Sequence, residues 1–323
     1  MPPIVCLGEA LIDLFAEKGA SLRDLPALRP SPGGAPANVA VALARLGKAV
    51  GFIGRVGQDD FGALLIDLLA REGVDTTYFV ADQRAPTMLA VVASPSPSEQ
   101  RFVLYHGADT LLRVDELPRA YLESAQLFVH GSVILACESA AAALQAAEWV
   151  RAAGRPVIFD VNLRPSLWPD LGQARRLIRE AIASASVVKL NEVELEFVTG
   201  TRDPAQGSRQ LLAQGVQLCC VSLGARGCYF ATDRVNGAVP PFTVQVRDTT
   251  GSGDAFVAGL AARLSELEQP LDEVDERTFR QVFRFANACG ALAATDVGGM
   301  RALPTRAAVE HLLHSGAPSS PVS

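Results

Sequence analysis

Hydrophobic residues fall in short, almost uninterrupted runs, and longer amphipathic stretches separate them. IVCLG (4–8), VGFIG (50–54), LFVHG (127–131), VIFDV (157–161), VVKLN (187–191) and LCCVSL (218–223) are such runs. A strand of a parallel sheet, buried on both faces, has this character. Helical periodicity between the runs predicts helices near 36–46, 59–72, 138–153, 171–184 and 204–214, with two more near 254–266 and 277–295. Strands alternating with helices imply right-handed crossovers, hence an α/β fold with a doubly wound, mostly parallel sheet flanked by helices. One stretch breaks the rhythm. From about Tyr78 to Tyr105 strands follow one another without a helix: TMLAVVAS (87–94), a Pro/Ser loop, then RFVLY (101–105). This hairpin pattern fits a small β lid, an oligomer edge, or a hairpin packed on the domain. The expected organisation is one domain over 1–315, with lid strands inserted at about 15–32 and 78–106. A short polar tail at 316–323 is expected to be disordered.

Composition narrows the function classes. The chain has 323 residues, 49% of them hydrophobic, and a net charge of −6. That is ample for a large core and opposes general nucleic-acid binding, which needs a basic face. No run of about 18 apolar residues marks a membrane span, and no basic segment precedes an apolar one at the N-terminus. A soluble, cytoplasmic protein is expected. Cys6, Cys137, Cys219, Cys220, Cys228 and Cys289 form no C-x-x-C pair and sit mostly in apolar runs, as reduced core thiols do. His311 and His314 share an H-x-x-H spacing without an acidic partner, which fits a surface helix better than a metal site.

The segment richest in chemistry is VRDTTGSGDAFVAGLAARL (246–264). It starts as a strand end and finishes with helical spacing, Phe256, Leu260, Leu264 and Leu267 lying on one side. Gly251 and Gly253 allow a sharp turn and a close approach to a ligand. The N–H groups of Gly251, Ser252 and Gly253 then face outward at a helix N-terminus, where the dipole favours negative charge. This arrangement can serve as an anion hole for a phosphoryl group gathering charge in transfer. Asp254 beside it reads either as a helix N-terminal acid or as a base for a hydroxyl proton. Other nucleotide signals fail: there is no G-x-x-x-x-G-K-[ST], no H-R-D with D-F-G, and no G-x-G-x-x-G after the first strand. P-loop enzymes, protein kinases and dinucleotide-binding dehydrogenases are therefore disfavoured.

DTTGSGDAFVAGL (248–260) resembles the C-terminal signature of the ribokinase-like, phosphofructokinase-B type carbohydrate kinases, and PGGAPANVAVALARLG (32–47) resembles their N-terminal signature. GEALIDLF (8–15), FIGRVGQDDFG (52–62), DVNLRPSLWPD (160–170), KLNEVELEFVTG (189–200), SLGARGC (222–228) and RFANACGALAAT (284–295) are similar to the fructokinase branch. The resemblance implies ATP-dependent phosphorylation of a sugar hydroxyl, fructose before others, with Asp254 as base and Gly251, Ser252 and Gly253 as the anion hole. It implies a sugar clamp of Asp13, Gly33, Gly34, Asn38 and Arg164. Nucleotide contacts are implied for Asn191, Ser222, Gly224, Gly227 and Asn287. Glu194 is implied in Mg²⁺ handling through water, with Asn191 beside it, and Asp248 and Thr250 in a K⁺ site with carbonyls near 298–302. A homodimer joined through the lid is also expected.

Plainer readings stand beside these: a turn for the glycines, a capping amide for Asn38, a surface loop for Arg164, and a dipole-favoured helix start for Asn191 and Glu194. One departure concerns FVLYHGADTLL (102–112), where His106 stands at the place of a family arginine expected to meet the substrate. The alternatives are a kinase for 2-keto-3-deoxygluconate or another small molecule, and, from another class, a non-catalytic sugar or nucleotide sensor.

Overall fold

The six apolar runs all become strands of one sheet in a computed structural model, which describes residues 3–16, 27–96 and 99–316. Near its centre lies β1 (Ile4–Leu7), between β4 (Val50–Gly57) and β8 (Leu127–Gly131), with β9 (Val157–Asp160), β10 (Val187–Asn191) and β11 (Leu218–Ser222) following β8 in order. These strands run parallel. A further parallel strand, β5 (Asp75–Asp82), forms one edge beside β4. Two antiparallel strands, β12 (Cys228–Ala231) and β13 (Asn236–Val239), extend the other.

Because strand side chains alternate between faces, each strand feeds two cores. Ile4, Cys6, Ile158, Val187, Leu218 and Cys220 face one cluster, which holds α1 (Ala35–Arg45), α8 (Ser252–Leu264) and α9 (Glu276–Ala293). Val5, Leu7, Phe159, Val188, Leu190, Cys219 and Val221 face the other, which holds α4 (Ala140–Ala152), α5 (Leu171–Ser184), α6 (Glu192–Thr199) and α7 (Pro204–Leu212). Helices thus cover both faces, as the alternation predicts. The remaining helices are α2 (Asp60–Arg71), α3 (Arg119–Ser124) and α10 (Arg306–Ser315). The last bears His311 and His314 on an exposed face. Cys137 is half-buried, the other cysteines are buried, and none is disulfide-bonded. Among the described residues no helix is long and apolar enough to cross a membrane.

A second sheet of four strands stands apart. Its order is β3 (Leu28–Gly33), β2 (Leu11–Ala16), β6 (Leu89–Ser96) and β7 (Glu99–Tyr105). The expected hairpin is there, β6 and β7 pairing antiparallel, and β2 joins it by pairing parallel to β6. The lid boundaries differ from expectation. Residues 78–82 belong to β5 of the large sheet, and the first lid strand begins at Leu11. The reason is a β4–α2–β5 crossover that delivers Tyr78 and Phe79 beside Ile53 and Gly54. Of the tail at 316–323, only Gly316 is described; it ends α10 in the left-handed conformation, and 317–323 lie outside the described residues.

Candidate active site

The carboxyl ends of the parallel strands, where open α/β sheets bind ligands, meet the N-terminus of α8 here. Gly251 adopts φ +81° and caps the helix, so α8 begins at Ser252 and Asp254 occupies its first turn. A Cβ at Gly251 would stand 3.1 Å from Gly299. The N–H groups of Gly251, Gly253 and Asp254 have no protein acceptor among the described residues. Ser252 departs from the expected anion hole. Its N–H closes the turn by donating to the Thr249 carbonyl at 3.1 Å, while its buried hydroxyl lacks a partner. Three free amides therefore remain, with Asp254 N–H in place of Ser252 N–H.

The second signature meets this helix directly. Asn38 on α1 donates from Nδ2 to Asp254 Oδ2 at 2.7 Å, across 216 residues of sequence. α1 is rich in Ala, and α8 in Ala and Gly, which allows close packing. Gly34 starts α1 at φ +103°, and a Cβ there would lie 2.5 Å from the Glu9 carbonyl. At Gly33 a Cβ would lie 2.2 Å from Asp13 Oδ2. The paired glycines let the lid carboxylate and the helix start share one small space. Glu9 Oε1 accepts from the Ala35 N–H at 3.1 Å and fixes that start from behind.

Two cavities join here. One, of about 360 Å³, is lined by Asp13, Gly34, Asn38, Arg164, Asn191, Glu194, Gly251, Gly253 and Asp254, with Leu11, Ala90 and Leu104 of the lid above. The other, of about 510 Å³, is lined by Ser222, Gly224, Gly227, Ser252, Phe256 and Asn287 beneath the loop at 241–246. They share Lys189, Ser222, Thr249 and Gly253. A third opening, of about 570 Å³, lies at the opposite end of the sheet among Gln126, Arg151, Pro156, Ser186 and Gln217. Helix C-termini converge there, the wrong end of the dipole for a phosphate.

The electrostatics suit proton transfer. Burial raises the Asp254 carboxyl to about 6, while the Asn38 hydrogen bond pulls the other way. Burial, reinforced by the charge of Asp254, raises Asp13 to about 7, with Arg164 opposing. Glu9 is raised to about 8, again chiefly by burial. Arg164 donates to Asn162 Oδ1 at 2.7 Å, and Asn162 has the strained φ of +33°.

Asn191 and Glu194 form the capping box that starts α6. Asn191 Oδ1 accepts from Val193 and Glu194 N–H, both at 2.9 Å. The Glu194 oxygens accept from Leu163 N–H at 3.0 Å and Asn191 N–H at 2.8 Å. Both residues cap α6 and face the cavity; with their oxygens so engaged, they suit a hydrated cation better than direct ligation. Asp248 lies behind the cavity wall: its carboxylate binds Thr250 N–H and Oγ1 and the Gly298 N–H, pinning the 298 loop to the anion hole. Asn287 Nδ2 donates to the Val239 and Pro240 carbonyls.

His106 is not among the residues lining the smaller cavity. Its Nδ1 lies 2.5 Å from Asp109 Oδ2, a contact that raises its pKa and turns the ring to the main domain. Sequence reasoning missed Glu9, Asp160 and Lys189. The last two form a buried ion pair at 2.9 Å. The signal was a lone charge within each of two apolar strands.

A profile of the pfkB family carbohydrate kinases matches residues 1–306. Fructokinase-1 of Zea mays is 42% identical over 317 residues, covering 96% of this chain and 97% of its own. The crystal structure of a fructokinase from Xylella fastidiosa with bound ATP is similar at a TM-score of 0.89 and 35% identity, covering 97% of this chain and 98% of its own. A double mutant of the fructokinase from Vibrio cholerae O395, bound to fructose, ADP and a potassium ion, reaches a TM-score of 0.85 at 34% identity, covering 96% and 97%.

Proposed function

This chain belongs to the pfkB family of carbohydrate kinases, and from that premise we propose that it transfers the γ-phosphoryl group of ATP to D-fructose, giving fructose 6-phosphate. The observation that carries the reading is the Asn38–Asp254 hydrogen bond in the wall of the smaller cavity, next in sequence to Gly253 of the wall that both cavities share. It sets a polyol-binding amide and a buried carboxylate on one side of a row of free amides. Asp13, Asn38 and Arg164 hold the sugar, with Gly33 and Gly34 admitting it close to the backbone. Asp254 takes the proton of the primary hydroxyl. That oxygen bonds to the γ-phosphorus as the bond to the bridging oxygen of ATP breaks, and the Gly251, Gly253 and Asp254 amides hold the charge of the transferring group. Ser222, Gly224, Gly227, the Ser252 hydroxyl and Asn287 form the nucleotide side.

Mg²⁺ accompanies ATP and spreads phosphate charge. Asn191 and Glu194 fit its hydrated form, since Mg²⁺ keeps several waters and takes few protein oxygens. K⁺ fits beside Asp248, Thr250 and the 298 loop, where it would stiffen the anion hole; the Vibrio relative was solved with that ion. Thiols without disulfides suit the cytoplasm. The outer face of the lid suits a second copy of the chain. A second reading, 2-keto-3-deoxygluconate as acceptor, draws on Arg164 in the cavity wall as a partner for an acid sugar.

A coupled assay with Mg-ATP over fructose, glucose, ribose, ketodeoxygluconate and adenosine, run in K⁺ and in Na⁺, tests this. Fructose is expected to give the highest kcat/KM, and K⁺ to raise it. Preference for ketodeoxygluconate would move the assignment to the second reading. Turnover of none would overturn both, and a flat response to K⁺ would remove the monovalent site.

A further inference from the structure

Lys189 opens the family-like segment 189–200, and the resemblance implies no role for it. It lies on β10 between Val188 and Leu190, which both enter the core on the α5 side. Strand alternation therefore points Lys189 to the opposite face, toward α8. Its side chain is 7% exposed and pairs with Asp160, its register partner on β9, at 2.9 Å. A buried ion pair is weak evidence for stability, because desolvation of both charges opposes their attraction. The position of the pair is more informative.

Lys189 lines both cavities, in the wall they share with Gly253. Its Nζ lies 3.5 Å from where a Cβ on Gly253 would stand. An ammonium carries three donors, and among the described residues Nζ donates to Asp160 Oδ1 alone. The residue stands in the wall that divides the two cavities. Resting on the kinase reading above, we propose that Lys189, held by Asp160, is a further residue of phosphoryl transfer, its ammonium binding the transferring γ-phosphoryl group beside the Gly253 amide. Asp160 is the positioning residue: it fixes the ammonium and keeps it charged. The pair thereby adds a cation to a cavity wall that also carries the guanidinium of Arg164 and the carboxylates of Glu9, Asp13, Glu194 and Asp254.

The test separates this role from a structural one and from the sugar assignment. Lys189→Met should lower kcat by about 10²–10³, the range for loss of one preorganised donor to the reacting charge. Fructose affinity in the absence of nucleotide should stay within about threefold, and Lys189→Arg should recover part of kcat. Because Lys189→Met leaves Asp160 buried and unpaired, the double variant Asp160→Asn/Lys189→Met is the control. If the pair is only structural, the double variant, judged folded by its melting curve, regains near-normal kcat, and the proposal falls. If it folds and remains slow, the proposal stands. Nucleotide binding gives a readout independent of turnover: the folded variants should lose the preference for ATP over ADP while keeping ADP affinity. An unchanged preference would overturn the proposal even if no sugar proved to be a substrate. Absence of sugar turnover in the wild type would count against the kinase reading instead.

Discussion

Asp254 can act as the proposed base only when ionised, and its surroundings resist that ionisation. Burial holds its carboxyl near 6 and that of Asp13 near 7. Both must be charged for the roles given them, so activity should rise with pH through this window. The expected profile of kcat/KM for the sugar falls below about pH 7 and falls more steeply below about pH 6. Asp13→Asn should lower sugar affinity and remove the upper inflection while leaving the lower one. Asp254→Asn should cost about 10²–10⁴ in kcat with sugar binding retained. Stopped-flow and steady-state profiles from pH 5 to 9 check each point, and near-normal turnover of Asp254→Asn would end its assignment as base. Gly pairs beside polar residues leave a mark, which pointed to Asp254 and Asn38, while Asp13 came from the family-like segment 8–15. Lys189 and Asp160 left a fainter one. A charge inside an apolar strand means a buried charge with a partner, but the partner lies on another strand, and register is invisible in one sequence.

At the scale of elements, the parallel strands were legible because burial on both faces demands continuous apolar residues. Edges were not. DTTYFVAD of β5 alternates exposed and half-buried positions, and LRPSPG of β3 carries two prolines. Proline suits an edge strand, and β3 exists because β2 supplies its partners from Leu11 to Ala16. Cap chemistry decided α8: the left-handed glycine at 251 starts the helix two residues earlier than periodicity alone places it. Helix spacing also carries function. A Cβ on Gly259 would lie 2.8 Å from Cys289 Sγ and 2.9 Å from Ala286 Cα, so α8 and α9 touch along a surface with no room for a methyl group. Gly259→Ala should force the helices apart, costing about 1–3 kcal/mol and tilting the N-terminus of α8 that bears the free amides. Thermal melting and kcat should fall together; an unchanged melting temperature would show that the helices have slack.

At the scale of the molecule, the lid is a four-stranded sheet with one face over the sugar-side cavity and one turned away. Leu104 faces inward, while Val103 and Tyr105 on the same strand are 38% and 58% exposed. An apolar outer face on a sheet with open edges favours pairing with a second copy. Sedimentation should give twice the chain mass of 34.1 kDa, and Tyr105→Glu with Val103→Glu should return the monomer. A wild-type monomer at micromolar concentration would exclude the lid as a dimer surface.

The bond between Asn38 and Asp254 has a further consequence in time. Ribosomes release the sugar-binding end first and the base more than 200 residues later, about 10–40 s at ordinary elongation rates. Until α8 emerges and docks on α1, the growing chain holds the residues proposed for the sugar but lacks the proposed base and amides, and it is expected to catalyse nothing. Products truncated before Gly251 lack the amides and the carboxylate proposed for the transfer, and they are expected to be silent rather than to spend ATP on water.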